Sequence, residues 1–418
     1  MENKLSILVV GSGGREFAVA KKFKESPLVE EVYCAPGNSG MQTIGVKNVN
    51  LNEMDLDGLL AFAQEHHISW TFVGPENVLC AGIVDKFTKA GQKIFGPNQR
   101  AAQLEGSKEY ALKFMDKYKV PTAMHETFDS PQKCIAGLKN FSYPVVIKED
   151  GLAGGKGVTI ASDEEVAQKT IRAMFSGGQK RLVLEECLVG PEYSMFVVVS
   201  EDQYRILPMA QDHKRVGNGD QGPNTGGMGS YCPLPQLSKH DRQEMIEKIV
   251  KPTIQGLIAG QYHYHGVLYI GLMMTSSGPK VIEYNVRLGD PETEVVLPKM
   301  KTDFAQLVDA AINEDVMPEI EENNQAILGV VLCAEGYPKN PMQIKLGKLP
   351  QSDKVYIDYA NVSGDLSNLQ NNSGRILMVI SESEDLKRSQ TNVYEYLNSL
   401  NIPHTFYRYD IGDKALKV

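Results

Sequence analysis

The sequence predicts a multidomain protein that combines α/β and α+β folds. Three observations lead to this prediction. The chain has 418 residues, enough for two to four domains. Its first hundred residues alternate short apolar strands with amphipathic helices, and strand patterns dominate further along. We therefore expect a parallel α/β domain at the N-terminus, followed by units richer in antiparallel strands.

The N-terminal elements follow from the spacing of apolar residues. Apolar runs predict strands at residues 5–10, 31–34, 70–73 and 93–95, and helical spacing predicts helices at 15–23, 56–65 and 78–89. Strands that alternate with helices form a parallel sheet, whose ligands bind at the carboxyl ends of the strands. A ligand-binding edge is therefore expected after the first strand.

A glycine-rich turn lies at that edge. Gly11, Gly13 and Gly14 resemble part of the dinucleotide fingerprint G-x-G-x-x-G, but Glu16 occupies its last glycine position. A carboxylate there would repel a pyrophosphate. A nicotinamide-dependent oxidoreductase is therefore disfavoured.

Two seams divide the rest of the chain. Ser107 can cap a helix over residues 108–118, and a compact unit follows at about 124–189 with a helix at 164–175 and a strand at 182–186. Strands are expected to dominate to about residue 290, a helix covers 303–312, and strand and turn patterns return from 326. The predicted domains are residues 1–103, 104–325 and 326–418.

Composition excludes several classes of protein. The net charge is −9 without a long basic run, which argues against a nucleic-acid or membrane-surface binder. The six cysteines are scattered without paired spacing, as expected for reduced thiols in the cytoplasm. No apolar stretch approaches the length of a membrane span.

The stretch IKEDGLAGGKGVTI, residues 147–160, predicts a phosphate-binding loop of unusual type. Glycines let backbone N–H groups approach an anion, and Lys148 and Lys156 supply charge. The standard phosphate loop is excluded, because Asp150 replaces its first glycine and Gly157 replaces its hydroxyl residue. The loop also runs into a second strand rather than a helix. It is therefore either a flap over a phosphate or a plain glycine-rich hairpin.

The stretch VIEYNVRLGDPETE, residues 281–294, predicts a metal and phosphoryl site. On a strand, Glu283, Asn285 and Arg287 share one face. Carboxylate and amide oxygens suit Mg²⁺, and a guanidinium suits a transferred phosphoryl group. Asp290 and Glu292 extend this polar cluster. A solvated strand face is the plain alternative.

Weaker patterns lie between these two stretches. The loop at 210–231 holds six glycines behind Asp212, Lys214 and Arg215, which makes ligand binding competitive with a mobile surface loop. His263 and His265 are expected to share one strand face with no third ligand nearby, so plain sheet surface is favoured over a metal site.

Taken together, eight strings resemble one known family. They are VVGSGGRE, FVGPE with AGIVD, IFGP with QLEGSK, GLAGGKGV, AQDHKRVGNGDQGPNTGGMGSY, GVLYIGLM, EYNVRLGDPETEVVLP and RYDIGDKAL, in that order. Their sequence and spacing resemble the glycinamide ribonucleotide synthetases (phosphoribosylamine–glycine ligases), which are ATP-grasp enzymes of purine biosynthesis.

The resemblance implies a fold and a reaction. It implies an N-terminal substrate-binding domain, an ATP-grasp core with a small β-rich lid at about 124–189, and a C-terminal α+β domain. It also implies that ATP phosphorylates the carboxylate of glycine, after which the amine of 5-phosphoribosylamine displaces phosphate. The partners implied are these small molecules, with Mg²⁺ or Mn²⁺ and no nucleic acid or membrane, in a monomer or weak homodimer. Another ATP-grasp carboxylate–amine ligase or carboxylase is the alternative.

The resemblance also assigns site residues by position. Lys108, Lys148 and Lys156 would hold the ATP phosphates, Lys156 and Arg287 acting at the transferred group, while Glu283 and Asn285 would bind the metal. The adenine and ribose would meet Glu185, Glu186, Cys187, Leu188 and Glu192. The substrates would meet Gly13, Gly14, Arg15, Glu16, Pro75, Glu76, Asp212, Lys214, Arg215, Asn224, Thr225, Gly226, Gly227, Asp290 and Glu292.

The chain departs from the family pattern at a few positions. Phe17 stands where the family usually has histidine, so a contact to the N-terminal domain or to substrate could be weakened. Tyr284, Val286 and Leu288 also differ from the usual residues, and we expect these changes to affect packing only.

Overall fold

The N-terminal sheet is parallel throughout, in a computed structural model that describes residues 4–152, 154 and 157–417. Its strand order is β3-β2-β1-β4-β5. The strands are β1 (Leu5–Gly11), β2 (Val29–Pro36), β3 (Lys47–Asn48), β4 (Trp70–Val73) and β5 (Ile94–Phe95), and the helices are α1 (Gly14–Lys24), α2 (Leu56–Glu65), α3 (Glu76–Cys80), α4 (Ile83–Lys89) and α5 (Gln99–Gly106). The predicted α/β domain is confirmed.

One predicted helix of this region is wrong as a single element. Residues 78–89 form parts of two helices, α3 and α4, because Gly82 adopts a left-handed φ of 87° between them. A glycine tolerates that conformation at no steric cost, so the chain turns there. The apolar spacing continues across the turn because both helices pack against the same sheet.

A small antiparallel sheet follows, with the order β6-β9-β7-β8. The helix before this sheet begins at Lys108 and is capped at its N-terminus by Ser107, as predicted. The hydroxyl oxygen of Ser107 accepts from the N–H of Tyr110. The sheet and helix α8 enclose an apolar core of their own, separate from the main core. The elements are α6 (Lys108–Tyr118), β6 (His125–Phe128), α7 (Pro131–Gly137), β7 (Val145–Glu149), β8 (Val158–Ala161), α8 (Glu164–Ser176) and β9 (Leu182–Glu186).

The next sheet is antiparallel, with the order β11-β10-β16-β17. A hairpin of two short strands, β13 and β14, projects from the chain between β11 and β16. The strands of this stretch are β10 (Glu192–Ser200), β11 (Gln203–Ile206), β12 (Gln211–Asp212), β13 (Arg215–Gly217), β14 (Gln221–Asn224), β15 (Gly229–Cys232), β16 (His265–Thr275) and β17 (Gly278–Asn285).

The expectation that strands dominate up to residue 290 is wrong for residues 239–259. This stretch is helical, with α9 (Lys239–Met245) and α10 (Lys251–Ala259) joined by a π-helical segment, Ile246–Val250. Ser238 and Asp241 form a capping box that starts the helix. Met245, Ile249 and further apolar residues at helical spacing are buried, which is the pattern that predicts a helix.

The C-terminal part completes a third large sheet of order β12-β15-β18-β23-β20, with β24 beside β18. A three-stranded sheet, β19-β22-β21, lies beside it. The elements are α11 (Thr293–Lys299), α12 (Phe304–Ile312), β18 (Ala326–Ala334), β19 (Lys345–Leu346), β20 (Tyr356–Tyr359), β21 (Val362–Asp365), β22 (Asn368–Asn371), β23 (Arg375–Ser383), α13 (Leu386–Ser399), β24 (Thr405–Phe406) and α14 (Asp413–Leu416).

Helix α13 is missing from the sequence-based expectation of strands and turns after residue 326. It begins after Asp385, which caps it, and it buries Val393 and Leu397 against the third sheet. This region is therefore α+β, as the predicted fold class states. Within the described residues, no helix is long and apolar enough to cross a membrane, and all six cysteines are free.

Candidate active site

A cleft of about 760 Å³ separates the small sheet from the β11-β10-β16-β17 sheet. Its walls come from parts of the chain that are far apart in sequence, since strands of both sheets, helix α6 and the β13–β14 hairpin all contribute side chains. The cleft contains most of the residues singled out by the sequence. These include Glu76, Lys108, Lys148, Glu185, Glu186, Cys187, Leu188, Glu192, Asp212, Lys214, Arg215, Asn224, Thr225, Gly226, Glu283, Asn285, Arg287, Asp290 and Glu292.

The carboxylate, amide and guanidinium of the predicted metal and phosphoryl site are together at the floor of the cleft. Asn285 Nδ2 donates to Glu283 Oε1 at 3.4 Å, and Arg287 Nη2 donates to Asn285 Oδ1 at 3.2 Å. Strand β17 ends at Asn285, so Arg287 follows the strand rather than extending it. The three side chains nevertheless converge, as the period of two predicts.

Arg287 is held by two acidic residues from the N-terminal region. Its Nε lies 3.0 Å from Glu76 Oε2, and its Nη2 lies 2.9 Å from Glu105 Oε1. Burial acts to raise the pKa of Glu76, yet Arg287 and Arg15 together lower that pKa to about 2. Burial dominates at Glu105 and raises its pKa to about 7 despite the opposing charge of Arg287. The guanidinium is thus fixed before any ligand arrives.

Two lysines face Glu283 across the cleft. Lys148 Nζ lies 2.6 Å from Glu185 Oε2 and donates to the carbonyl of Ile282 at 3.1 Å. Lys108 Nζ donates to the carbonyl of Gly151 at 2.9 Å, and burial lowers its pKa. Burial also acts to raise the pKa of Glu283, but the surrounding lysines and Asn285 hold it below its ordinary value. Glu283 therefore stays ionised.

The glycine-rich loop connects β7 to β8, two antiparallel neighbours, as the sequence predicts. Its entrance is anchored because Asp150 Oδ1 accepts from the Ser107 hydroxyl at 3.0 Å. The N–H of Glu149 donates to the carbonyl of Gly157 at 2.8 Å, which closes the hairpin. Lys156 lies outside the described residues.

The strand end at residues 185–188 forms one side wall of the cleft. Glu186 is paired with Lys280 at 2.5 Å and accepts from the N–H of Met124 at 3.0 Å. These contacts hold the backbone of Cys187 and Leu188 at the cleft edge. The backbone of this segment is therefore placed to meet a flat ligand.

Glu192, Asp212 and Lys214 form a charged group on the opposite wall. Glu192 and Lys214 make an ion pair. Burial acts to lower the pKa of Lys214, but Glu192 and other nearby groups hold it well above its usual range. Burial raises the pKa of Asp212 to about 8 in spite of Lys214. Lys214 therefore carries a positive charge beside an acid that favours its neutral form.

The tip of the polar glycine-rich loop is ordered by hydrogen bonds. Thr225 donates through its N–H and its hydroxyl to the carbonyl of Lys214, at 2.7 and 2.9 Å. Its hydroxyl oxygen also accepts from the N–H of Gly227 at 2.9 Å. Gly227 has a φ of 116°, and a Cβ there would collide with Pro291. Arg215 donates to the carbonyl of Gly222 at 2.7 Å, and Asn224 is half-buried beside it.

The first turn of α1 meets the same cleft region. Glu16 Oε2 accepts from the N–H of Gly13 at 2.7 Å, and Arg15 Nε lies 2.5 Å from Glu16 Oε1. The N–H of Arg15 donates to Asp290 Oδ2 at 3.4 Å. A Cβ at Gly14 would lie 2.5 Å from Glu294 Oε1. Glu16 therefore accepts the hydrogen bond of the Gly13 N–H, which a bound dinucleotide would need. This agrees with the expectation that a nicotinamide-dependent oxidoreductase is disfavoured.

Two further predicted residues support the cleft from behind. Glu292 is buried, and its Oε1 accepts from the hydroxyls of Tyr269 at 2.9 Å and Ser194 at 3.2 Å. Pro75 precedes α3 and caps it with extended backbone, which places Glu76 at the first turn. Glu292 lines the cleft, whereas Pro75 only positions its neighbour Glu76.

Three residues of this region are not among the predicted site residues. Glu105 contacts Arg287 as described above. Arg375 Nη1 lies 2.7 Å from Asp290 Oδ1 and donates to the carbonyl of Gly226 at 2.9 Å, which joins β23 to the loop. Glu294 packs against Gly14, and burial raises its pKa well above the usual range. Each is brought in by contacts between distant segments, which local spacing does not encode.

Phe17 packs away from the cleft. Its side chain is fully buried, and its ring lies 6.0 Å from that of Tyr359 in an edge-to-face arrangement. The aromatic residue therefore joins helix α1 to strand β20 through apolar contact. Tyr284, Val286 and Leu288 are also buried, as expected for packing changes.

Glu105 gives the protein a pH-dependent stability. Its folded-state pKa of about 7 exceeds the ordinary value of 4.5, so the folded protein binds more protons than the unfolded chain in between. Stability therefore falls as pH rises from about 4.5 to 7, by at most about 3 kcal/mol. Glu105→Gln removes this fall, because glutamine does not titrate.

Thermal midpoints measured across that pH range test the expectation. The thermal midpoint of Glu105→Gln should rise relative to that of the unmutated protein as the pH increases. Glu321→Gln, at an exposed position, is the control and should follow the unmutated protein. Parallel curves for Glu105→Gln and the unmutated protein would contradict the assignment.

Family models match nearly the whole chain. The phosphoribosylglycinamide synthetase N domain matches residues 5–105, its ATP-grasp (A) domain matches 106–293, and its C domain matches 327–414. The three matches occur in chain order. They agree with the order of the strings that carry the resemblance.

Individual relatives agree with the family models. A phosphoribosylamine–glycine ligase from Lactococcus lactis is 49% identical over 99% of this chain and 100% of its own length. A crystal structure of phosphoribosylamine–glycine ligase from Thermotoga maritima covers 97% of this chain and 100% of that chain, with a TM-score of 0.86 and 33% identity. A biotin carboxylase complex from Campylobacter jejuni has a TM-score of 0.74 at 16% identity, covering 96% and 92% of the two chains, which shows a shared fold alone.

Proposed function

Because the chain belongs to the phosphoribosylglycinamide synthetase family, we propose that it joins glycine to 5-phosphoribosylamine with hydrolysis of ATP to ADP and phosphate. The product is glycinamide ribonucleotide, an intermediate of purine biosynthesis. The reaction passes through glycyl phosphate. An acyl phosphate is needed because a carboxylate oxygen is a poor leaving group, and phosphorylation divides one difficult step into two easier ones.

One observation carries this proposal. Glu283, Asn285 and Arg287 lie at the floor of a single cleft, with Lys108 and Lys148 facing them from the small sheet. Opposed acid and lysine groups around an open space suit a nucleotide triphosphate and its metal. A protein that only senses nucleotides has no need for the guanidinium aimed at this point.

The nucleotide side of the cleft has a defined set of residues. Lys108, Lys148 and Lys156 neutralise the phosphates, and the backbone of residues 185–188 offers hydrogen bonds to adenine. Glu192 binds the ribose hydroxyls after its ion pair with Lys214 opens. Lys148 forms an ion pair with Glu185, which holds its ammonium group at the wall of the cleft.

The residues at the floor fit a divalent cation. Glu283 is held ionised by its lysine neighbours, and the Asn285 amide lies beside it, with its nitrogen toward Glu283 and its oxygen toward Arg287. Rotation of this amide would offer the second oxygen to the ion. Glu283 and Asn285 would hold the ion, and oxygen donors of this kind accept Mg²⁺ or Mn²⁺. When bound, the metal would withdraw charge from the phosphate oxygens of ATP.

The residues of the chain carry the chemical steps as follows. Arg287, fixed by Glu76 and Glu105, offers a guanidinium to the phosphoryl group as it moves to the glycine carboxylate. Lys156, which lies outside the described residues, is assigned to the same group by its position in the sequence. Closure of the flap excludes water, which would otherwise hydrolyse the acyl phosphate.

The acceptor side lies between the polar loop and helix α1. Asp212, Lys214, Arg215 and residues 224–227 surround the glycine, with Asp290 and Glu292 behind them. Gly13, Gly14, Arg15, Glu16, Pro75 and Glu76 contact 5-phosphoribosylamine. The hydrogen bond from the N–H of Arg15 to Asp290 joins these two groups of residues. It supports the proposal that the two substrates bind next to each other.

Release of ADP from ATP tests the reaction. We expect ADP release to require both glycine and 5-phosphoribosylamine generated in place. When the glycine is isotopically labelled, the product should carry the label. Release that is independent of both compounds would contradict the proposal. Release that depends on bicarbonate instead would favour an ATP-grasp carboxylase, which shares the fold.

Replacement of Lys156 by alanine tests the flap. The variant is expected to raise the ATP concentration needed for half-maximal rate by about tenfold or more, because a cation near the phosphates is lost. Steady-state rates at varied ATP measure this. Lys169→Ala, on the exposed face of α8, is the control and should leave the ATP dependence unchanged. An unchanged dependence in Lys156→Ala would contradict the role of the flap.

We also propose how the protein is organised and where it works. The division into residues 1–103, 104–325 and 326–418, with a lid at about 124–189, is supported by the separate apolar core of the small sheet. A cytoplasmic location is supported by six free cysteines. A monomer or weak homodimer completes the proposal.

A further inference from the structure

A cluster of two histidines and two glutamates lies far from the cleft, at one end of the β11-β10-β16-β17 sheet. His265 begins β16, six residues before Gly271, which pairs with Glu283. At about 3.3 Å per residue, this distance along the strand is roughly 20 Å. The cluster therefore has no part in the site described above.

The structure corrects the expectation for the two histidines. They do not share a strand face, because β16 begins at His265 and His263 lies before it with a φ of 47°. The expectation that no third ligand is near is also wrong. Glu201, in the turn between β10 and β11, and Glu314, just after α12, both reach His265.

The distances in this cluster fit a transition metal. His265 Nε2 lies 3.9 Å from Glu201 Oε1 and 3.5 Å from Glu314 Oε1, and the three donor atoms lie within 4.8 Å of one another. Donors about 2.0–2.1 Å from a tetrahedral Zn²⁺ are about 3.3 Å apart. Small rotations of the two carboxylates are enough to close the remaining gap.

A second observation points to a missing ligand. Nε2 of His265 is shielded from solvent and has no hydrogen-bond partner among the described residues. A buried polar atom without a partner is costly, and a metal ion would satisfy it. No lysine or arginine nitrogen of the described residues lies within 4.0 Å of the carboxylates of Glu201 or Glu314. Apart from the two histidines, no cationic side chain of the described residues neutralises the two carboxylates.

We propose that Glu201, His265 and Glu314 form a site for a divalent transition metal such as Zn²⁺, with a water molecule as the fourth ligand. His263 orients Glu201, since its Nδ1 lies 3.1 Å from Glu201 Oε1. Imidazole nitrogen selects Zn²⁺ over Mg²⁺, which prefers an all-oxygen site. The bound ion ties the β10–β11 turn and the segment after α12 to the start of β16.

The backbone around the site explains why three segments meet there. The N–H of Glu201 donates to the carbonyl of Tyr264 at 3.1 Å, and the hydroxyl of Ser200 donates to the carbonyl of Ala311 at 2.7 Å. These bonds hold the end of β10 against the loop before β16 and against α12. A metal at this point would join contacts that already exist rather than create a new fold.

Titration of chelator-treated protein with Zn²⁺ tests the proposal, with excess Mg²⁺ and no nucleotide. One Zn²⁺ is expected to bind per chain and to raise the thermal midpoint. His265→Ala and Glu314→Gln should each weaken this binding at least tenfold, since loss of an outer hydrogen-bond partner alone costs about 10- to 100-fold. Neither variant should change the rate of ADP release.

His404→Ala is the matched control. His404 Nδ1 pairs with Glu335 Oε2 at 2.8 Å on the surface, which is a histidine and a carboxylate without a third donor. This variant should bind Zn²⁺ as the unmutated protein does. Absence of Zn²⁺ binding to the unmutated protein would overturn the proposal. Equal affinity and stoichiometry in His265→Ala and Glu314→Gln would overturn it as well.

Discussion

Replacing Glu283 by glutamine is expected to lower the rate of ADP release by at least about a thousandfold, which corresponds to about 4 kcal/mol. Glutamine keeps the size of the side chain and one oxygen, but it removes the charge that draws a metal to the floor of the cleft. Glu283 is the only ionised oxygen donor of the proposed metal pair, because its partner Asn285 is neutral. The loss should therefore appear in the catalytic rate at saturating ATP and metal.

The fold should tolerate this change. Among the described residues, Glu283 makes a single long hydrogen bond, to Asn285, and the glutamine amide can replace it. The thermal midpoint is therefore expected to stay within a few degrees of that of the unmutated protein. Glu244→Gln, on α9 beside the turn between β16 and β17, is the matched control and should retain full activity. Retention of most activity by Glu283→Gln would contradict the metal assignment.

Local spacing predicts the elements and the floor of the site well. Strand β17 carries Glu283 and Asn285 on one face because side chains alternate along any strand. The cap at Ser107 and the strand at Leu182–Glu186 are equally local features, and both are confirmed. Such predictions succeed because neighbours in sequence determine them.

Local spacing fails where tertiary contacts decide. Glu105 and Arg375 enter the site through contacts with residues 182 and 85 positions away, at Arg287 and Asp290. No window of sequence contains both partners. The helical stretch at residues 239–259 is a different case, because its capping box and apolar spacing are local features that predict a helix rather than strands.

Replacing Arg287 by methionine is expected to lower both activity and stability. The guanidinium contacts Glu76, Glu105 and Asn285, and no other described group replaces it at this point. Loss of the positive charge at the phosphoryl group should reduce the rate of ADP release by about a thousandfold. Loss of the partner of two buried acids should lower the free energy of unfolding by about 3 kcal/mol. Rates at saturating substrate and urea unfolding curves measure the two effects.

A second variant separates these two roles of Arg287. In Arg287→Met with Glu76→Gln, the acid whose pKa Arg287 helps to lower to about 2 no longer carries a charge, so much of the lost stability should return. Activity should not return, because the guanidinium is still absent. Arg287→Lys keeps the charge but has too few directed donors to bridge both acids. Its activity and stability should therefore lie between those of the unmutated protein and those of Arg287→Met. Recovery of both stability and activity in the double variant would mean that Arg287 only compensates charge, and the guanidinium would then have no part in phosphoryl transfer.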